Sequence, residues 1–136
     1  MSLLVDTHAA IWLFEDRPLA SKAVAAIDAE YRDDRPLLVS AITAWEVGQL
    51  VSRNRLSLGI TPQRWFARVL ATPGIQLAEL SPDILIASSF LPGTPPRDPA
   101  DRILAATARE LGATLVTRDR LLLAYGEQGN LSVVAC

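Results

Sequence analysis

Four acidic residues of this chain stand near the end of an apolar run or near the start of a helix pattern, and a fifth, Glu46, lies within the helix pattern that follows such a run. They are Asp6, Glu46, Asp98, Asp101 and Asp119. Asp6 directly follows one apolar run, and Asp119 follows another by a single residue. Because ligands of α/β sheets bind at the carboxyl ends of the strands, acids at these points can meet in one crevice. Several carboxylates in one crevice form a binding site for a hard divalent cation.

The chemistry of such a cluster follows from its charge. Two carboxylates about 4 Å apart repel each other by roughly 4 kcal/mol at an effective dielectric constant near 20. Without a cation, the acids would raise one another's pKa or spread apart. Bound Mg²⁺ or Mn²⁺ reverses this repulsion, activates water and stabilises charge on a phosphate oxygen. The reaction this predicts is in-line attack of the activated water on a phosphodiester.

Each acid taken alone also has a simpler interpretation. Asp6, Asp98 and Asp119 precede predicted helices, and aspartate is a good N-cap residue. Glu46 lies on a mixed stripe of its predicted helix, so the periodicity leaves open whether it points inward. Acids at corresponding points of successive strand–helix units are harder to explain as independent caps, and we therefore favour the cluster.

Asp101 is the acid whose position is most informative. At helical spacing it lies in line with Leu104, Ala105 and Ala108, where a core helix would normally carry another apolar residue. An acid on that stripe is costly to bury unless it is paired. Its alternative role is that of a first-turn acid that the helix dipole favours.

Three hydroxyl residues, Thr7, Ser40 and Thr117, stand beside the acids. They can orient the carboxylates, as the neighbours of metal ligands do, or they can simply cap helices. For the single histidine, His8, we favour a structural role. No pattern in the sequence identifies substrate-binding residues.

Composition and length indicate one folded domain over residues 1–136. Half of the residues are hydrophobic, which excludes a disordered chain. No apolar run reaches the roughly 18 residues of a membrane helix, and the chain does not begin with a signal-peptide pattern. Because Cys136 is the single cysteine, we expect a reduced, cytoplasmic protein without disulfides. The net charge of −2 gives no overall attraction to nucleic acid.

Strand and helix patterns alternate almost throughout the chain. The predicted strands are 2–5, 37–39, 75–78, 114–117 and 131–135, and the predicted helices are 7–14, 22–31, 41–53, 62–71, 83–90, 99–111 and 120–125. Ser21 is expected to cap the second helix, with Val24 and Ile27 on its inner face. The order predicts a three-layer α/β fold, with a mostly parallel central sheet flanked by helices.

Four segments resemble the PIN-domain ribonucleases, specifically the VapC toxins of bacterial toxin–antitoxin pairs. Their order and separations fit that family over essentially the whole chain. The segments are LLVDTHAAIWL from Leu3, VSAITAWEV from Val39, RDPADRILAATA from Arg97 and LVTRD from Leu115.

The resemblance implies a Mg²⁺- or Mn²⁺-dependent endoribonuclease with a PIN fold. In the family pattern Asp6, Glu46, Asp101 and Asp119 match the acidic metal-binding quartet, and Asp98 matches an accessory or alternative ligand. The resemblance also implies an RNA substrate, inhibition by a cognate VapB antitoxin, a homodimer and a larger assembly with the antitoxin. Cleavage in this family leaves a 5′-phosphate and a 3′-hydroxyl.

Other functions remain open at this stage. One is a PIN nuclease that acts in RNA processing or on other structured nucleic acids, although no insertion is long enough to arch over a DNA flap. A second is a catalytically silent PIN module that only binds protein. A third is a receiver-like signalling domain, which normally needs a lysine near the end of its last strand. The only lysine, Lys22, lies in an early predicted helix, which argues against that class.

Overall fold

The structure, a computed structural model, describes residues 2–136. Within these residues the strands are β1 (Leu3–Val5), β2 (Leu37–Ser40), β3 (Ile75–Ala78), β4 (Thr114–Thr117) and β5 (Val133–Ala135). They form one sheet in the order β3-β2-β1-β4-β5, and every neighbouring pair runs parallel. The predicted α/β fold is confirmed, with a sheet that is parallel throughout rather than mostly parallel.

Helices connect and cover the strands. They are α1 (Thr7–Phe14), α2 (Ser21–Arg32), α3 (Ala41–Ser52), α4 (Pro62–Ala71), α5 (Pro82–Ala87), α6 (Pro99–Leu111) and α7 (Arg120–Glu127). Most begin at a side chain that accepts a first-turn N–H, as at Ser40, Thr61 and Ser81. No helix within residues 2–136 combines the length and the apolar character that crossing a bilayer requires.

Apolar side chains fill both faces of the sheet. On β1, Leu3 and Val5 belong to one buried cluster and Leu4 to the other, because successive strand residues point to opposite faces. Trp65 on α4 joins the first cluster, and Tyr125 on α7 joins the second. With both faces covered, β1, β2 and β4 are buried along their whole length. The dense packing holds their carboxyl ends in place.

Helix α2 departs from its prediction in its cap and in its buried face. Ala20 rather than Ser21 occupies the N-cap position, and no side chain caps the helix. Val24 is 43% exposed, so its predicted inward position was wrong, whereas Ile27 does pack against the core. The buried residues of α2 are Ala23 and Glu30. One helical residue corresponds to a rotation of about 100°, which turns Val24 from the position of Ala23 toward solvent.

Several predicted element ends are shifted. Helix α5 ends at Ala87 rather than at 90, because the Ser88 hydroxyl donates to the Leu85 carbonyl in place of a continuing helical bond. Helix α7 continues to Glu127, and β5 begins at Val133 rather than at 131. None of these shifts moves a predicted site residue.

The strand order creates one switch point in the sheet. From β1 the chain adds β2 and then β3 on one side, and it later adds β4 on the other side of β1. Connections that leave two adjacent parallel strands in opposite directions open a crevice at their carboxyl ends, where α/β proteins bind ligands. Asp6 directly follows β1, and Asp119 follows β4 by one residue. Both acids therefore stand at this crevice.

Candidate active site

Asp6 is an almost completely buried acid, with 5% of its surface exposed. Its Oδ1 caps α1 by accepting the Ala9 N–H at 2.8 Å, and its Oδ2 accepts the hydroxyl proton of Thr117. Its own N–H donates to the Val116 carbonyl at 3.0 Å and extends the β1–β4 ladder by one bond. The side chain is thus held by the first turn of α1 and by the end of β4, and the backbone of Asp6 is held by β4.

Asp119 is connected to Asp6 through Thr117. The Thr117 hydroxyl donates to Asp6 and accepts the Asp119 N–H at 3.0 Å. One carboxylate oxygen of Asp119, Oδ1, caps α7 by accepting the N–H groups of Leu121 and Leu122 at 2.9 and 3.0 Å. Thr117 therefore positions two acids from adjacent strand ends.

Glu46 reaches the same region from α3. The Thr7 hydroxyl donates to Glu46 Oε1, and Thr7 Oγ1 also lies 3.1 Å from Thr43 Oγ1. Because a hydroxyl has one proton and Thr7 gives it to Glu46, Thr43 must be the donor to Thr7. The sequence analysis missed Thr43, although it stands one helical turn before Glu46, where such a neighbour is expected.

Asp98 is the N-cap residue of α6, and Asp101 lies in the first turn of that helix. Asp98 is exposed, and its Oδ2 accepts the Asp101 N–H at 2.9 Å. Within the described residues the half-buried Asp101 carboxylate has no hydrogen bond, so both of its oxygens are available to a ligand. Ser40 caps α3 by accepting the Ile42 N–H at 3.1 Å. Thr7 and Thr117 are thus the predicted hydroxyl residues that contact acids.

Electrostatics show that the five acids share one region. Burial is the largest cause that raises the pKa of Asp101, and together with the charges of Asp119, Asp98, Glu46 and Asp6, in that order, it brings this pKa to about 7. Burial acts on this carboxyl alone, whereas the contributions of the four other carboxylates require that they lie close to it. A carboxyl that titrates near neutral pH in a crevice is typical of functional sites.

Opposing effects act on the pKa values of Asp6 and Glu46, the two acids that accept hydrogen bonds from threonine hydroxyls. Burial is the largest effect on Asp6 and raises its pKa, while the hydrogen bonds from Thr117 and from the Ala9 N–H lower it. Burial likewise raises the pKa of Glu46, and the Thr7 hydroxyl lowers it. The threonines therefore favour the charged forms that a cation needs.

The donor set fits a hard divalent cation. It consists of carboxylate oxygens in a partly desolvated crevice, and these are the ligands that Mg²⁺ and Mn²⁺ prefer. Within residues 2–136, however, no three acidic, histidine or cysteine side chains are already arranged to hold an ion. Like charges keep carboxylates apart, so we expect the side chains to move together when a cation binds.

His8 stands beside the acids rather than in the core. It is exposed, and its charge lowers the pKa of both Asp6 and Glu46. From the sequence we favoured a structural role for His8 over contact with substrate or metal. The sequence signal that placed His8 at the site is its position two residues after Asp6, because residues in the first turn after a strand line the same crevice.

Comparison with known proteins agrees with this geometry. The sequence profile of the PIN domain matches residues 3–127, which is most of the chain. The chain belongs to the PIN-domain family. This PIN domain is 32% identical to Ribonuclease VapC22 of Mycobacterium tuberculosis over 124 residues, which cover 91% of this chain and 92% of the relative. The similarity places it in the VapC branch that the sequence motifs indicated.

Solved structures support the fold of this PIN domain. VapBC2 of Rickettsia felis, bound to a DNA fragment from its promoter, matches 99% of this chain and 98% of the compared chain with a TM-score of 0.70 and 15% identity. DNA-bound VapBC of Salmonella typhimurium matches the same shares with a TM-score of 0.66 and 19% identity. At these identities the likeness concerns the fold.

Proposed function

We propose that this PIN domain is a Mg²⁺- or Mn²⁺-dependent endoribonuclease and the toxin of a VapBC-type toxin–antitoxin pair. The observation that carries the proposal is that Asp119, Glu46 and Asp6 lie near enough to Asp101, at the sheet's switch point, to raise its pKa. The 32% identity to Ribonuclease VapC22 supports RNA as the substrate. With a single buried cysteine and no disulfide to form, the protein suits the cytoplasm, where RNA is found.

In this proposal the quartet Asp6, Glu46, Asp101 and Asp119 holds the cation. Asp98 is an accessory or alternative ligand, because it is exposed, whereas Asp101 is half-buried and has both oxygens free of hydrogen bonds in the described structure. A bound cation would supply activated water and neutralise charge on the phosphate. The protein's own part is to position the acids and to keep them ionised.

The threonines perform that positioning. Thr117 fixes Asp6 and the backbone of Asp119, while Thr7, itself held by Thr43, fixes Glu46. Removal of such supporting groups typically lowers metal affinity or activity by about 10- to 100-fold. Hydrolysis then leaves a 5′-phosphate and a 3′-hydroxyl.

An antitoxin partner follows from the same family membership. A groove of about 650 Å³ runs between α3 and α4 and is lined by apolar side chains that include Val47, Val51, Phe66 and Leu70. An amphipathic helix buries its apolar face in a groove of this kind. We assign the groove to a helix of the VapB-type antitoxin, and we expect a basic side chain of that partner to enter the acidic crevice.

Metal removal tests the proposed activity. Protein stripped with EDTA should leave a mixed RNA pool intact, and added Mg²⁺ or Mn²⁺ should restore cleavage with 5′-phosphorylated products. Asp6→Asn protein purified in parallel controls for contaminating ribonuclease. Cleavage that is equal in chelator contradicts the metal dependence. Metal-dependent cleavage without growth arrest on expression indicates a PIN nuclease of RNA processing, and no cleavage at all indicates a silent binding module.

We also propose a homodimer. Large apolar side chains on and just after α5 are exposed, namely Leu85, Ile86 and Phe90, the last by 80% of its surface. Exposed apolar side chains grouped on one segment are typical of an association surface. Light scattering at tens of micromolar should therefore give the mass of two chains, and Phe90→Asp should shift the mass toward one chain. A wild-type monomer at that concentration would remove the claim.

A further inference from the structure

A second, separate cavity borders the acidic crevice at the far ends of α1 and α3. Its volume is about 430 Å³, a size that accommodates a small ligand. The lining includes His8, Trp12, Arg17 and Arg55, together with one acid, Glu15. The cavity thus combines an aromatic ring with two guanidinium groups, in contrast to the carboxylates of the neighbouring site.

The two arginines are placed by the same backbone motif. Asp16 and Asn54 follow the ends of α1 and α3 in left-handed conformation, with φ of 54° and 56°. The next N–H, of Arg17 or Arg55, donates back into the last helical turn, to the carbonyl of residue 12 or residue 50, at 2.8 Å in each case. These are Schellman motifs, and each satisfies a terminal helix carbonyl. Both arginines therefore start from a fixed backbone at the cavity wall.

These guanidinium groups have no partner inside the described chain. Neither Arg17 nor Arg55 forms an ion pair or a side-chain hydrogen bond within residues 2–136. Arg35 differs from these two arginines. It also follows a left-handed residue, Asp34, after α2, but its guanidinium is paired with Glu30. The same motif thus yields one structural arginine and two that remain free to bind a ligand.

The cavity is joined to the acidic crevice by two residues. His8 lines the cavity, and its charge lowers the pKa of Asp6 and Glu46. The second link is Trp12, which also lines the cavity. The Arg118 guanidinium lies 3.5 Å from the ring centroid of Trp12, and Arg118 directly precedes Asp119 in the chain. The cavity therefore adjoins the acidic crevice at its His8 end. Trp12 is held in place by this cation–π contact.

We propose that this cavity binds one nucleotide of the single-stranded RNA next to the scissile phosphate, an inference that rests on the proposed ribonuclease function. Arg17 and Arg55 bind its phosphate, and Trp12 contacts its base or ribose. Guanidinium groups suit this role because their planar fork matches phosphate oxygens. The positive cavity also explains how a protein of net charge −2 with an acidic site holds a polyanion.

The test uses Arg17→Gln, Arg55→Gln and the double variant. Arg68→Gln on α4, an exposed position outside the cavity lining, is the control with the same change in charge. The binding probe is a fluorescein-labelled random-sequence 12-mer RNA in EDTA, titrated at several salt concentrations. Each single variant should weaken binding about tenfold, as expected for the loss of a charged hydrogen bond. The double variant should also flatten the plot of log affinity against log salt by about 0.7, the value for one phosphate contact on a single strand.

Cleavage kinetics and melting temperature complete the test. Because the arginines contact a nucleotide that does not react, the variants should raise KM and leave kcat nearly unchanged, with an unaltered melting temperature. If the Arg17 and Arg55 variants show the same RNA affinity and salt slope as Arg68→Gln, the proposed subsite is overturned. Metal-dependent cleavage in the same proteins would still support the ribonuclease. A wild-type chain that neither binds nor cleaves the RNA would overturn both proposals.

Discussion

Asp6→Asn should lower RNA cleavage about a thousandfold while the protein keeps its fold. Asparagine retains an oxygen that can accept the Ala9 N–H, so the cap of α1 survives. What is lost is a negative charge at the centre of the crevice, where the side chain is nearly fully buried. A cation site contributes several kcal/mol to transition-state stabilisation, and about 4 kcal/mol corresponds to a thousandfold change in rate.

Asp28→Asn is the matched control for this change. Asp28 lies exposed on α2, so the substitution removes the same charge from the surface. Its cleavage rate should equal that of the wild type. The measurement is initial-rate cleavage of a labelled RNA at saturating Mg²⁺, with circular dichroism to confirm the fold. An Asp6→Asn protein that cleaves at the wild-type rate would remove Asp6 from the cation site.

Asp101→Asn should stabilise the metal-free protein above neutral pH. The folded state raises the pKa of Asp101 from 3.8 to about 7, so folding favours the protonated form. The stability linked to this group is therefore fully present below pH 3.8 and is lost as the pH rises to about 7. The loss amounts to about 2 kcal/mol after allowance for the screening of a half-buried group. Because asparagine does not ionise, the Asp101→Asn variant does not lose this stability as the pH rises.

The comparison needs a control for the helix dipole. Asp101 also gains about 0.5 kcal/mol as a first-turn acid of α6, and the variant gives this up. Asp83 is a first-turn acid of α5 behind the same kind of proline start. Asp83→Asn should therefore be slightly less stable than the wild type. In EDTA at pH 8, Asp101→Asn should melt about 4 °C above the wild type, and at pH 4 this advantage should disappear.

At pH 8, added Mg²⁺ should remove or reverse the difference in melting temperature between Asp101→Asn and the wild type. A cation that binds only the folded wild type stabilises it by RT times the logarithm of one plus the ratio of free cation to Kd, and the variant binds the cation more weakly. A melting temperature of Asp101→Asn below that of the wild type in EDTA at pH 8 would contradict the electrostatic account. The measurement is a thermal melt in EDTA and in Mg²⁺ at each pH.

The sequence predicted those features that depend on neighbouring residues. The caps at Asp6, Ser40, Asp98 and Asp119 were readable because a cap depends only on the residue and the helix that follows it. The strands were readable because parallel strands buried on both faces form short apolar runs between turns.

Other features depend on distant partners and could not be read locally. The bond between Thr117 and Asp6 joins residues 111 positions apart. The buried face of α2 includes Glu30, which the chain tolerates because Arg35 pairs with it at 2.7 Å. A search for apolar residues selects Val24 and passes over that acid. The free state of Arg17 and Arg55 likewise became visible only when their surroundings were known.

The central claim is that side chains separated along the chain converge on one divalent cation. Crystals grown with Mn²⁺ and measured at the manganese absorption edge test it most directly. The account predicts an anomalous peak in the crevice between β1 and β4, about 2 Å from carboxylate oxygens of Asp6 and of two or more of Glu46, Asp101 and Asp119. Crystals with millimolar Mn²⁺ and no peak at these carboxylates would contradict it.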